Sequence, residues 1–202
     1  VDAQIKDILK NSILIILSVY LPALNLAYGE SSILLQPGIS YLAQSSQESD
    51  SGQSNKDKSS SLNLNLTAGY DLGRGFALGF KYFGQLKTLK SAKSQTTDKS
   101  SLSSLGVTIG SELPNAWLAA SWMGIQPPER IISSSDLIFK NGSGIILDAM
   151  IFSRLGRINF GPQVSWIMFK YRSKRLSGVQ QSSFKVRDES YFVPYFSAFL
   201  SL

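Results

Sequence analysis

The chain has no cysteine and no histidine. Without cysteine there is no disulfide framework and no thiolate chemistry. Without histidine there is no imidazole to act as general base or triad partner, the commonest device in acid–base catalysis. Charge is scarce too: Asp, Glu, Lys and Arg make up 17% of 202 residues, against roughly 25% in ordinary soluble domains. No phosphate-cradling glycine loop, nucleotide motif or metal-ligand cluster is recognisable, and "GRGFALG" at 73–79 is no dinucleotide fingerprint because no helix follows it. The expectation is no cofactor, no metal and no enzymatic activity.

What the sequence does have is alternation. In "SLNLNLTAGYDLGRGFALGFKYFGQL", residues 61–86, apolar residues alternate with small or polar ones, break at a glycine-arginine-glycine turn and alternate again. A period of two is a β-strand, and two such runs around a short turn are a hairpin. One face carries Leu62, Leu64, Leu66, Phe76, Leu78 and Phe80; the other carries Asn63, Asn65, Thr67, Asp71 and Lys81.

The pattern continues to the end of the chain. Short connections at 73–75, 114–115 and 156–157 recur about every 41 residues, and long polar stretches lie at 45–61, 91–101, 127–141 and 172–190. Seven connections join eight strands, at approximately 32–44, 61–72, 76–90, 102–113, 116–126, 142–155, 158–171 and 191–202. Long and short alternate strictly, so all short turns fall at one end and all long loops at the other. Carried through the short turns, the phase sends Val107, Ile109, Leu118, Trp122, Leu147, Ile151, Val164, Trp166, Phe192 and Phe196 outward. Asp71, Lys81, Gln85, Glu112, Asp148, Arg154, Gln163, Ser165 and Ser197 then point inward. A polar inside and an apolar outside invert the polarity of a soluble lipocalin-like barrel, whose apolar core would bury those charges at high cost. The expected fold is therefore all-β, an eight-stranded antiparallel up-and-down transmembrane β-barrel over residues 30–202.

Residues 1–29 stand apart. Lys6 and Lys10 precede an apolar run over 13–24, and Ala27-Tyr28-Gly29 follows. Basic, apolar and small-residue regions in that order read as a signal peptide cut after Gly29. The apolar run is shorter than the ~20 residues a spanning helix needs. A retained N-terminal helix lying against the barrel or the membrane is the alternative.

The chain ends in "YFVPYFSAFLSL", in which Phe192, Phe196, Leu200 and Leu202 fall on alternate positions. With the topology, this ending resembles the small eight-stranded outer-membrane β-barrel proteins of Gram-negative bacteria, at the level of the class. The resemblance implies the bacterial outer membrane as location and membrane lipids, with lipopolysaccharide, as partners. Several barrels of that class are lipid-modifying enzymes that rely on histidine, which this chain lacks. The reading is thus a non-enzymatic barrel acting at the cell surface, through membrane structure or by binding lipid, glycan or a partner protein. Its alternatives are an oligomeric or channel-forming barrel, a lipid-modifying enzyme with a non-histidine base, and a soluble lipocalin-like carrier.

Four groups of residues are candidates for specific roles. Asp71, Lys81, Glu112, Asp148 and Arg154 are expected to form a charge network in the lumen, a structural device more often than a catalytic one. The last long loop gathers Lys170, Arg172, Lys174, Arg175, Lys185 and Arg187 against Asp188 and Glu189. Such a rim suits lipopolysaccharide phosphates or anionic glycans. No aromatic interleaving accompanies these charges, so nucleic acid is not an expected partner. Trp122 and Trp166 are expected in the outer aromatic girdle. Pro37, Pro162 and Pro194 fall in the first, seventh and eighth strands, neighbours once the barrel closes. Each lacks an N–H, so this seam is expected either to carry β-bulges or to be covered by the N-terminal segment or a second protomer docking on strands 7, 8 and 1.

Overall fold

The computed structural model describes residues 33–50, 53–73, 75–90, 96–133, 135–155, 158–176, 178–180 and 187–201. The predicted signal peptide lies outside the described residues. Among the described residues there are twelve strand segments: β1 Ile33–Asp50, β2 Gln53–Gly73, β3 Phe76–Lys90, β4 Thr97–Leu113, β5 Ala116–Ile132, β6 Leu137–Lys140, β7 Ser143–Ile151, β8 Ser153–Leu155, β9 Ile158–Tyr171, β10 Ser173–Leu176, β11 Val179–Gln180 and β12 Arg187–Ser201. Among the described residues there is no helix.

Eight staves close into an antiparallel barrel in the order β1, β2, β3, β4, β5, β7 with β8, β9 and β12, and β12 returns to β1. Closure removes the sheet edges that would otherwise invite pairing with other chains. The short turns make this sharp. Gly75 has φ 77, a left-handed backbone that glycine adopts without a Cβ penalty, and Gly75 O accepts a bond from Glu112 N.

Alternation in the sequence becomes alternation in exposure. Along β7 and β9 residues switch strictly between buried and exposed. The exposed set is the apolar one: Phe76, Leu78, Phe80, Ile109, Leu118, Leu147, Val164, Phe192 and Phe196 all face out. Trp117 and Met123, which the phase sends inward against expectation for a polar lumen, are indeed inside and almost fully buried.

The interior is not uniformly polar, and this corrects the sequence reading. An apolar cluster of Leu34, Ala77, Trp117, Met150, Phe152 and Phe199 fills the short-turn end. A larger one, including Phe83, Leu102, Met123, Ile146, Ile167 and Phe169, fills the lumen towards the long-loop end. Trp117 packs on Phe199 at 5.0 Å between centroids and lies flat over Gly110, where a Cβ would collide with the indole. Eight staves leave an interior just wide enough for side chains to fill, and apolar side chains fill it without needing partners.

The long polar stretches are not simple loops either. β1 and β2 stay paired out to Asp50 opposite Gln53, and β6, β10 and β11 continue the sheet above β5. The outer halves of β1 and β2 are rich in serine and other polar residues at every position and show no two-residue hydropathy pattern, so their β-structure was hidden.

Candidate functional site

Between the two apolar plugs lies a belt of polar side chains. Lys81 Nζ donates to Asp148 Oδ2 at 2.8 Å, both side chains about 1% exposed. Ser165 Oγ and Gln163 Nε2 donate to the other oxygen, Asp148 Oδ1, at 2.6 and 2.8 Å. Gln163 Oε1 in turn accepts from Gln36 Nε2 at 3.0 Å and from Ser197 Oγ at 2.7 Å. One connected network thereby ties β3, β7, β9, β12 and β1 together. The carboxylate is satisfied on both oxygens, as a charge so deeply buried requires.

The five predicted lumen charges do not gather in one network. Glu112 pairs with Arg154 at 2.9 Å, but at the short-turn rim, where the Arg154 side chain is 56% exposed. Asp71 is half-buried near the same rim, across from Ala77. Only Lys81 and Asp148 share the central belt. Among the described residues, no group of three or more Asp or Glu could hold a metal ion.

A second polar layer sits beyond the outer plug, at the long-loop mouth. Arg130 Nη2 donates to Glu189 Oε2 at 2.8 Å and to Gln85 Oε1 at 3.2 Å. Gln85 Nε2 donates to Asn63 Oδ1 at 2.7 Å, and Tyr171 OH donates to Glu189 Oε2 at 3.3 Å. Arg187 reaches Glu189 Oε1 at 3.0 Å, with its guanidinium 4.6 Å above the Phe139 ring. Burial alone would lower the Arg130 pKa, but the facing Glu189, then Tyr171, hold it above its usual value. Burial pushes the Tyr171 phenol up to about 12 although Arg130 pulls the other way. These groups lie well past Trp122 and Trp166 along their strands.

Glu189 entered the sequence reading only as a counter-charge of the last loop and Arg130 not at all, and the reason Arg130 was missed is local. The pairing of β4 with β5 shifts register between Ser103 and Leu105 and again between Leu105 and Val107. Before this bulge the odd residues Trp117, Ser121 and Met123 point in; after it, the even residues Pro128 and Arg130 do. Phase counting carried straight through would send Arg130 to the outside. The signal available was Pro127-Pro128, since proline inside a strand marks a bulge or an edge.

The basic residues of the last loop are spread out. Lys170 pairs with Asp188 at 3.8 Å, Arg175 Nε donates to Gly178 O at 2.6 Å, and Arg172 is exposed. Lys174 is half-buried on β10 opposite Phe139. Lys185 lies outside the described residues. Trp122 and Trp166 face outward, and Trp166 stacks on Phe192 at 5.7 Å while its Nε1 donates to Ser190 Oγ at 2.8 Å.

The prolines do face outward. Pro162 and Pro194 keep their ladder positions opposite Phe196 and Val164 without a bulge. Pro37 keeps its place opposite Leu66 on β2, but on its β12 side the ladder skips Gln36 and Pro37, pairing Leu35 with Leu200 and then Gly38 with Ser197. On its other side Pro162 also interrupts a ladder, which runs from Met150 with Gln163 on β7 to Ser153 with Phe160 on β8. No register shift accompanies either gap, so the prolines interrupt pairing at the β1–β12 junction and between β9 and β7/β8 rather than forming bulges.

A scan of protein-family models gives no match to this sequence, and no curated protein matches it. Among solved structures, the translocator domain of the autotransporter NalP from Neisseria meningitidis aligns with a TM-score of 0.38 and 10% sequence identity, over 92% of this chain and 68% of that one.

Proposed function

We propose that this chain is a non-enzymatic outer-membrane barrel that works at the cell surface, holding a plugged wall in the bilayer and presenting its basic long-loop side to anionic lipid or glycan. The observation that carries this reading is the inverted polarity of the wall. Large side chains such as Phe76, Ile109, Trp122, Ile151 and Phe192 are exposed around the outside, while Lys81 and Asp148 are sealed within. In water such a continuous apolar exterior would be an aggregation surface; in a bilayer it is the matching solvent.

Two structural facts weigh against the other readings. The nearest approach to catalytic geometry, Ser165 on Asp148 with Lys81 behind it, lies between two apolar plugs, with all three residues under 5% exposed. A nucleophile needs access to its substrate, and this one has none. The same plugs fill the lumen at two levels, which suits a wall better than a channel.

Membrane fractionation combined with gel mobility before and after heating tests the location: the barrel is expected in the outer-membrane fraction, migrating faster unheated. A soluble carrier fails both criteria. Lipopolysaccharide binding that weakens with salt and with neutralisation of Lys174 and Arg175 supports the surface role; binding indifferent to both removes it.

A further inference from the structure

The junction of β1 with β12 closes only in part. The two strands pair at Leu34 with Ser201, Leu35 with Leu200, Gly38 with Ser197 and Ile39 with Phe196. Beyond Ile39 no ladder pair joins them among the described residues, although β1 runs on to Asp50 and β12 starts at Arg187. At the same height their other edges stay zipped: β1 pairs with β2 through Asp50, and β12 pairs with β9 through Arg187. Below the break, Gln36 and Ser197 meet on Gln163 and staple the seam from inside. Above it no such staple appears among the described residues. The opening begins between Phe196 and Phe192, within the outer half of the apolar belt, and runs to the mouth.

A cavity of about 460 Å³ lies behind this opening, lined by inward residues of β1 to β3 and by both faces of β12, among them Leu42, Lys87, Arg130, Tyr191 and Phe192. Its lining changes from apolar at Leu42, Phe192 and Val193 to cationic at Lys87, Arg130 and Arg187. Arg130 and Arg187 share the single carboxylate of Glu189, Asp188 is paired with Lys170, and Lys87 is exposed with no ion pair among the described residues. Positive charge is in surplus. Arg130 lines this cavity although it is 93% buried; its Nε, itself shut off from solvent, has no hydrogen-bond partner among the described residues. A cavity wall in which two guanidiniums share one carboxylate beside an exposed ammonium suits an oxyanion.

We propose that the β1–β12 seam is a lateral portal, through which an acyl-chain amphiphile of the outer leaflet places its anionic head against Arg130, Lys87 and Arg187 while its chain lies between Leu42 and Phe192. This rests on the membrane reading above and deepens it. The polar parts of the amphiphile also supply hydrogen-bond partners to strand edges that hydrocarbon would leave unpaired.

The probe is a long-chain fatty acid with a photoreactive terminal carbon, set against its neutral alcohol, on the full chain refolded into phospholipid vesicles. Heat-modifiable mobility reports insertion independently, so failure to insert rejects the membrane reading, and insertion with the wrong labelling rejects only the portal. Expected is labelling concentrated on peptides containing residues 41–43 and 192–194. It should fall at least about fivefold with the alcohol and in the Lys87→Gln/Arg187→Gln variant, which spares Arg130 and its packing. Bridging Ala43→Cys and Phe192→Cys, opposite each other if the register continued, should abolish it. Labelling spread evenly over the apolar belt, or unchanged by head charge and seam closure, overturns the proposal. So does a full chain whose positions 43 and 192 cross-link to residues 1–32 or to a second copy, since a peptide strand then fills the seam.

Discussion

Two buried ion pairs of the same length, 2.8 Å, mark two different kinds of interior. Lys81–Asp148 lies in the middle of the barrel, with both carboxylate oxygens met by Ser165, Gln163 or the ammonium and apolar plugs above and below. Arg130–Glu189 lies at the outer mouth, where one carboxylate serves two guanidiniums and a phenol while Arg130 Nε is left open. The first pair is complete in itself and has no access to a ligand. The second borders a cavity at the mouth, and its guanidiniums outnumber its carboxylate. Deep burial with both carboxylate oxygens satisfied is architecture; cations in surplus along a cavity wall are a candidate site.

The contrast is broken most severely from the sealed side. Asp148→Ala leaves Lys81 charged and unpaired in the belt, at a cost of about 3–5 kcal/mol. Denaturant unfolding in detergent is expected to show this loss, and Lys81→Met/Asp148→Leu should recover most of it, because removing both charges also removes the desolvation penalty. If the double variant is as unstable as the single, the pair is more than an architectural tie.

Arg130→Met should cost less, roughly 2 kcal/mol, the worth of charge-assisted hydrogen bonds near a wet boundary. Glu189 keeps Arg187 and Tyr171 after the change, so it is not stranded. The same unfolding assay is expected to rank this variant clearly milder than Asp148→Ala. Equal destabilisation would mean the mouth is as closed as the belt.

The rim pair supplies a smaller effect. Arg154→Ala removes a partner of Glu112 that is more than half exposed, and such pairs contribute about 1 kcal/mol or less. A shift in unfolding midpoint within experimental scatter is the expected result. The smallest effect on stability belongs to Lys174→Gln/Arg175→Gln: no change in unfolding, with any loss confined to lipopolysaccharide binding and erased by raising the salt.

How much of this was legible beforehand depended on which faces a strand presents. Where one face meets lipid and the other a mixed interior, as at 61–86, the two-residue period specified strand, phase and topology together. The plugs were harder to see. In "GIILDAMIF" the inward Ile146 and Met150 stand beside the outward Leu147 and Ile151, so an apolar run conceals two faces doing different work. The outer ladders were hidden for the opposite reason, since β1 and β2 beyond Ser45 are polar on both sides. Arg130 escaped because a bulge exchanges inside and outside without altering composition. The prolines could be placed on their strands from the sequence, but only the register shows that Pro37 and Pro162 each interrupt one ladder and that β1–β12 pairing stops just above Ile39.

The central claim, that the apolar phase meets lipid and the polar phase meets the lumen, is open to one direct measurement. The chain has no cysteine, so single cysteines at two adjacent positions on β9 report opposite faces without background. Val164 is 46% exposed and Ser165 is 1% exposed. With the protein refolded in vesicles, a membrane-dissolved apolar maleimide is predicted to label Val164→Cys rapidly and Ser165→Cys hardly at all. Rapid labelling of Ser165→Cys with protection of Val164→Cys would contradict the account.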